Sequence, residues 1–150
     1  MNELINFYQI TSLIGTSGQP TVEQFKMIAE SGYTIVINLS MHDSDNALID
    51  EGNIVASFNM NYVHIPVPFE SPLPSHLKDF FSVLDAFEGQ KIFVHCALNA
   101  RVSVFMHQYL TLKKEVNADD AQTPLLKKWL PKMDEKWKSI LKLSIEEIDV

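Results

Sequence analysis

The sequence predicts an α/β fold: a central, mainly parallel sheet of four to five strands flanked by helices, with a helical extension at the C-terminus. Two observations carry this prediction. Thr34-Ile35-Val36-Ile37-Asn38-Leu39 is a nearly continuous β-branched run, as expected of a strand buried on both faces, and Lys91-Ile92-Phe93-Val94 reads the same way. Between such runs lie segments with apolar residues at helical spacing, and alternation of strand and helix makes parallel pairs with crossover helices. The length agrees: 150 residues is the size of one domain. Such a chain buries roughly 68–70% of the surface its unfolded form exposes, enough for a core without staples.

The elements follow in order. Asn6 to Ser17 is rich in apolar and β-branched residues and predicts one or two short strands, ended by Gly18-Gln19-Pro20. Thr21-Val22-Glu23-Gln24 has the form of a capping box, so a helix is expected over about 22–31, stopped by Gly32. After the strand at 34–39, residues 40–46 are polar loop. Apolar residues at 47, 48, 54, 55 and 58 predict a helix interrupted by Gly52. Tyr62-Val63-His64-Ile65 is the next strand, ended by Pro66 and Pro68. Ser75 is the expected cap of a helix carrying Leu77, Phe80, Phe81, Leu84 and Phe87. A helix is predicted from Arg101 to about Lys114. Thr123-Pro124 reads as a cap with a first-turn proline, opening an apolar stripe broken at Pro131. Trp129 and Trp137 on that stripe are expected to pack the last helices onto the body.

Charge and composition exclude several functions. The formal charge is −7. Residues 1–112 contribute −7, with four basic side chains (Lys26, Lys78, Lys91, Arg101) against eleven acidic ones; residues 113–142 contribute +3 and residues 143–150, with Glu146, Glu147 and Asp149, −3. A body this acidic repels nucleic acid, so no nucleic-acid partner is expected. No apolar run approaches the ~20 residues of a membrane helix, and no membrane partner is expected. One cysteine rules out an internal disulfide and an all-cysteine metal cluster. With no basic, apolar secretory start, a reducing cytoplasm is the expected compartment. His42-Asp43-Ser44-Asp45 is polar loop rather than a metal motif, no nucleotide-binding glycine pattern occurs, and no cofactor is predicted.

The chemistry-bearing stretch is Val94-His95-Cys96-Ala97-Leu98-Asn99-Ala100-Arg101-Val102-Ser103. The chain's one cysteine and one arginine stand five positions apart, between a buried strand and a helix. A loop entering a helix aims backbone N–H groups and the positive end of the helix dipole at its centre, which suits an anion. That field also favours thiolate over thiol and makes a cysteine nucleophilic near neutral pH. Arg101 offers a planar fork for two oxygens of a tetrahedral oxyanion. The N–H groups of Ala97, Leu98, Asn99, Ala100 and Arg101 are the expected phosphate ligands. Ser103, one turn into the helix, is a candidate donor to the thiolate, and His95 a candidate to order the loop through its ring N–H.

His-Cys, a short loop, Arg and a helix resemble the cysteine-dependent protein tyrosine and dual-specificity phosphatases. Ser17-Gly18-Gln19-Pro20-Thr21, Val36-Ile37-Asn38-Leu39, Tyr62-Val63-His64-Ile65-Pro66-Val67 and Val94-His95-Cys96 together are similar to a small bacterial phosphatase-like family, which also occurs fused to β-lactamase-like hydrolases. The resemblance covers about residues 8–112 and implies a single phosphatase-like domain over 1–150, with residues from about 113 onward as the helical extension. It implies hydrolysis of a phosphate monoester through a phosphocysteine on Cys96. The partners are then a phosphorylated protein or small molecule, and a phosphate or sulfate ion in the loop. It also implies a general acid on the loop after the strand preceding the cysteine strand. There Glu70 is the carboxylate, where the larger family has Asp; Asp43 and Asp45 are lesser candidates. Gln19 is implied to line the site, and His64 reads as a hydrogen-bonded core residue. The chain departs from the pattern in having four residues between Cys96 and Arg101, where most tyrosine phosphatases have five, and Asn99 in place of the loop glycine. Four intervening residues also occur in rhodanese-like sulfurtransferases, which is one alternative; a non-catalytic phosphate-binding module is the other.

Overall fold

The computed structural model describes residues 1–148; Asp149, counted above among the C-terminal acids, lies outside them. Among the described residues five strands form one sheet: β1 (Tyr8–Gln9), β2 (Ile14–Ser17), β3 (Ile35–Asn38), β4 (Asn61–His64) and β5 (Ile92–His95), in the order β1-β2-β5-β3-β4. The first pair is antiparallel and the rest run parallel, with the cysteine strand β5 at the centre. The register pairs Ser17 and Asn38 with His95, and Asn38 with His64. The four parallel strands therefore end level, and their outgoing loops gather at one edge of the sheet, where open α/β sheets bind ligands.

Alternate residues of each strand face opposite sides. Ile35, Ile37, Ile92 and Val94 point into a core built with α3 (Pro74–Ala86), α4 (Ala100–Lys113) and the C-terminal helices. Val36 and Phe93 point the other way, onto Phe25 and Ile28 of α1 (Val22–Glu30) and Val55 of α2 (Glu51–Ser57). The capping box at Thr21 is present: its hydroxyl accepts from the Gln24 N–H at 3.2 Å, and the Gln24 side chain accepts from the Thr21 N–H at 2.9 Å.

Two expectations shift. The helix expected from residue 47 begins only at Glu51, so Ala47 and Leu48 sit in loop and Gly52 lies in the first turn instead of interrupting the middle. Asp50, with φ 61°, holds a left-handed conformation that turns the chain into α2. The cap of α3 is Leu73, not Ser75. Pro74 takes the first helical position, where its missing N–H costs nothing, and the Leu73 N–H donates to His76 Nδ1 at 3.0 Å.

The C-terminal extension comprises α5 (Pro124–Trp129), a 3₁₀ turn at Leu130–Lys132 where Pro131 breaks the stripe, α6 (Glu135–Leu141) and α7 (Ile145–Ile148). Thr123 caps α5 as expected, accepting from the Leu126 N–H at 3.1 Å. The extension explains why α4 is buried on most of its circumference: the sheet covers one side, α5 and α6 the other, and Gln108 Nε2 donates to the Ile140 carbonyl at 2.7 Å. Trp137 is fully buried in this layer.

Candidate active site

The loop from Cys96 to Arg101 lies between β5 and α4, at the level edge of the sheet. Cys96 is 1% exposed. Asn99, in the place of the loop glycine, has φ 74°, and Asn is among the residues that bear this conformation most readily. Its side-chain amide fixes the turn by donating to the Asn6 carbonyl at 2.8 Å and to Thr16 Oγ1 at 3.2 Å. The loop's outward carbonyls are held as well. Ala97 O accepts from the Gln19 N–H at 3.0 Å and from Asn46 Nδ2 at 3.1 Å, and Leu98 O accepts from Asn6 Nδ2 at 2.9 Å. Gly18 is required beneath it: a Cβ there would meet Ala97 O at 2.5 Å.

With the carbonyls tied back, the amides are left open. Among the described residues, no protein acceptor pairs with the N–H groups of residues 97 to 102, while the Ser103 N–H already joins the helix ladder at Asn99 O, 3.1 Å. Six successive N–H groups are thus left without a protein acceptor at the start of a 14-residue helix, the kind of place where helix N-termini favour anions. Arg101 adds the charge. It is 6% exposed, its Nη1 donates to the Val67 carbonyl at 2.8 Å, and its guanidinium lies 5.8 Å from the centre of the Phe69 ring. Among the described residues it has no carboxylate within 4.0 Å. A buried cation without a counter-ion costs free energy unless an anion completes it.

Beneath the loop is a buried hydrogen-bonded chain that the sequence did not reveal. His95 Nε2 lies 2.6 Å from Glu51 Oε2, and its Nδ1 lies 3.0 Å from the Cys96 carbonyl. Glu51 Oε1 accepts from Gln19 Nε2 at 2.6 Å. Burial alone would raise the Glu51 pKa, but the His95 hydrogen bond and charge, helped by Gln19 and Tyr62, hold it below the ordinary carboxylate value. The Tyr62 hydroxyl, accepting from Asn38 Nδ2 at 3.0 Å, is pushed up to about 12 by burial, against the opposing Asn38 contact and with Glu51 adding to the rise. Glu51 carries no local mark of this role in the sequence, and the helix start expected at residue 47 placed it mid-helix.

The remaining candidates are distributed as follows. His95, expected to order the loop through its ring N–H, has Nδ1 3.0 Å from the Cys96 carbonyl. Gln19 lies against the loop with its main chain and against Glu51 with its side chain; its Oε1 is buried and has no partner among the described residues. Ser103 differs from expectation. Its hydroxyl donates to Asn99 O at 2.6 Å and accepts from Thr123 Oγ1 at 2.7 Å, so its proton braces the helix start instead of facing the thiol. Glu70 is exposed, three residues past the Val67 carbonyl that holds Arg101. Its loop is tied to the extension: Trp137 Nε1 donates to Phe69 O at 2.8 Å, Lys136 Nζ donates to Glu70 O at 2.9 Å, and the Phe69 ring packs on Trp129 and Trp137 at 5.7 and 5.5 Å. Asp43 and Asp45 are exposed on the 39–50 loop, and His64 Nε2 lies 2.7 Å from Ser40 O. Among the described residues no group of three or more His, Cys, Asp or Glu is placed to hold a metal ion, and no helix is long and apolar enough to cross a membrane.

Comparison with known proteins gives the chain's family and the relatives of its fold. A family model described as DSP-PTPase phosphatase fused to NAD+ kinase matches residues 9–134. A candidate phosphatase of the DUF442 group from Shewanella putrefaciens CN-32 is 29% identical, with a TM-score of 0.85 over 93% of this chain and 91% of that one. At 15% identity, the core catalytic domain of the PP-IP phosphatase SIW14 from S. cerevisiae, solved with citrate, superposes with a TM-score of 0.74 over 97% and 90% of the two chains. A variant of TpbA from P. aeruginosa, in complex with phosphotyrosine, is 12% identical with a TM-score of 0.72 over 97% and 88%. The last two share the fold. None of the curated proteins matches the chain.

Proposed function

This chain belongs to the DSP-PTPase phosphatase family, and we propose that it hydrolyses a phosphate monoester through a phosphocysteine on Cys96. The observation that carries the reading is the buried, counter-ion-free Arg101 beside six open amides that follow directly on the cysteine. These groups are placed to take the non-bridging oxygens of a phosphoryl group and to stabilise the charge that spreads over them in the transition state. The Cys96 thiolate attacks phosphorus; the S–P bond forms as the ester P–O bond breaks, and the leaving oxygen takes a proton from a carboxylic acid. Water then gives a proton to that carboxylate as its oxygen attacks phosphorus, the S–P bond breaks, phosphate leaves, and the thiolate and the carboxylic acid are restored.

The four-residue spacing between Cys96 and Arg101 favours a second reading, sulfur transfer through a persulfide on Cys96. One pair of assays separates them: release of phosphate from phenyl phosphate, and formation of thiocyanate from thiosulfate and cyanide. The proposal expects turnover in the first and none in the second; the reverse outcome replaces phosphatase by sulfurtransferase, and phosphate binding without turnover in either leaves a binding module.

Glu70 is assigned as the acid, because it stands on the loop that supplies the Val67 carbonyl to Arg101. Glu70→Gln keeps the shape and removes the proton. It lowers kcat by ~10²-fold or more for alkyl phosphates, whose leaving groups need a proton. It has little effect on 4-nitrophenyl phosphate, whose leaving group does not. Equal losses on both substrates, or no loss on either, move the role to Asp43 or Asp45.

A further inference from the structure

We propose that the substrate is a small phosphate monoester whose leaving group carries a second anionic group, bound by Lys128 and Lys132 in a cavity beside the phosphate loop; this rests on the phosphatase reading above. The cavity measures about 560 Å³, within the ~300–1,000 Å³ that hold small ligands. Loop residues 98–100 form part of its wall, so it is continuous with the structure that presents the amides. Phe69, Tyr8 and Trp129 add flat aromatic surface, and Phe69 stacks on Trp129 with 21° between the rings.

Its charge is the informative feature. Lys128 at the end of α5 and Lys132 in the following turn are four positions apart, and both line the cavity. Both are exposed, and among the described residues neither makes an ion pair or a hydrogen bond. The body they face is acidic: residues 1–112 carry Lys26, Lys78 and Lys91 as their lysines. The extension therefore brings two unpaired ammonium groups to a cavity that shares loop residues 98–100 with the proposed anion site and is lined by Phe69, whose ring centre lies 5.8 Å from the Arg101 guanidinium. A monoester with an uncharged leaving group leaves them unused. One with a carboxylate or second phosphate engages both ends.

The test uses 4-(carboxymethyl)phenyl phosphate and its methyl ester. The methylene insulates the ring, so the two leaving groups have nearly equal acidity and differ mainly in one charge. Turnover of the ester tests the phosphatase reading. The ratio of kcat/KM, acid over ester, tests the second-anion site. The wild type is expected to favour the acid about tenfold, the size that two solvent-facing ion pairs supply. In the Lys128→Ala/Lys132→Ala variant the ratio falls toward one, and it falls similarly in the wild type at high salt. A wild-type ratio near one, or a preference that survives in the double variant, overturns the proposal. If neither compound is hydrolysed, the phosphatase reading fails; the dissociation constants of the two compounds for the Cys96→Ser protein, with and without the lysines, then give the same ratio and decide the second-anion site separately.

Discussion

Cys96→Ser is expected to abolish turnover of phenyl phosphate, by ~10⁴-fold or more, while inorganic phosphate still binds. The reason is that the nucleophile and the anion site are separate parts. The sulfur makes the covalent intermediate, and a serine hydroxyl in its place has no base to activate it: the nearby His95 nitrogens are engaged by Glu51 and by the Cys96 carbonyl. The amides of residues 97–102 and the Arg101 guanidinium are untouched by the change. Calorimetric titration with phosphate therefore gives an affinity equal to or above that of the wild type. Arg101→Lys fails differently. An ammonium cannot hold the Val67 carbonyl and present two parallel N–H groups to an oxyanion, so both binding and rate fall, the rate by ~10²–10³-fold. A Cys96→Ser protein with wild-type activity removes the covalent mechanism altogether. One that loses phosphate affinity together with activity shows that the sulfur is part of the anion site.

Much of this was legible in the sequence because the decisive features are local. The β-branched runs at 34–39 and 91–94 and the Thr-x-x-Gln box at 21–24 each determine their structure within a few residues, and β3, β5 and α1 appear where those patterns put them. The spacing of one cysteine and one arginine placed the loop, and the positive φ at Asn99 follows from a residue type. What was not legible depends on pairs far apart in the chain. Glu51 meets His95 across 44 positions, and Trp137 meets Phe69 across 68. Neither partner carries a local mark of the other. The start of α2 was misplaced for a related reason: apolar Ala47 and Leu48 continue the helical spacing, but the left-handed turn at Asp50 sets the boundary. Ser103 shows the same limit on a small scale. Its position one turn into α4 put it near the cysteine, and only the contact with Thr123, twenty residues on, shows where its hydroxyl points.

Glu51→Gln is expected to flatten the acid side of the stability profile, and Glu51→Leu to cost ~3–5 kcal/mol at neutral pH, the scale of breaking a buried charged pair by removing one partner. Glu51 is 6% exposed, and its two oxygens accept from Gln19 and face His95. The His95 nitrogens face two oxygens, Nε2 the Glu51 carboxylate and Nδ1 the Cys96 carbonyl, so the contact with Glu51 is made with Nε2 as the donor. Leucine leaves that donor buried and unpaired. Glutamine keeps an oxygen that accepts from His95, and its NH₂ is satisfied once the Gln19 amide turns its unpartnered Oε1 toward it, so it loses less. The pH dependence isolates the carboxylate. The pKa of Glu51 in the folded protein lies below its ordinary value of 4.5. A depressed carboxyl pKa means that the unfolded chain binds the proton more tightly. The stabilisation is therefore fully present above about pH 4.5, and is lost as the pH falls through the folded-state value. In urea titrations from pH 7 down to pH 3, the wild type should lose stability more steeply than Glu51→Gln below pH 4.5. Because Glu51 acts on the loop through His95, Glu51→Gln should also lower kcat by ~10- to 10²-fold, the effect of slightly misplacing reacting groups. The phosphate affinity of the amides should change much less. Equal acid slopes in the two proteins would mean that the Glu51 carboxylate gains nothing from His95 on folding, and the buried pair would have no part in holding the loop.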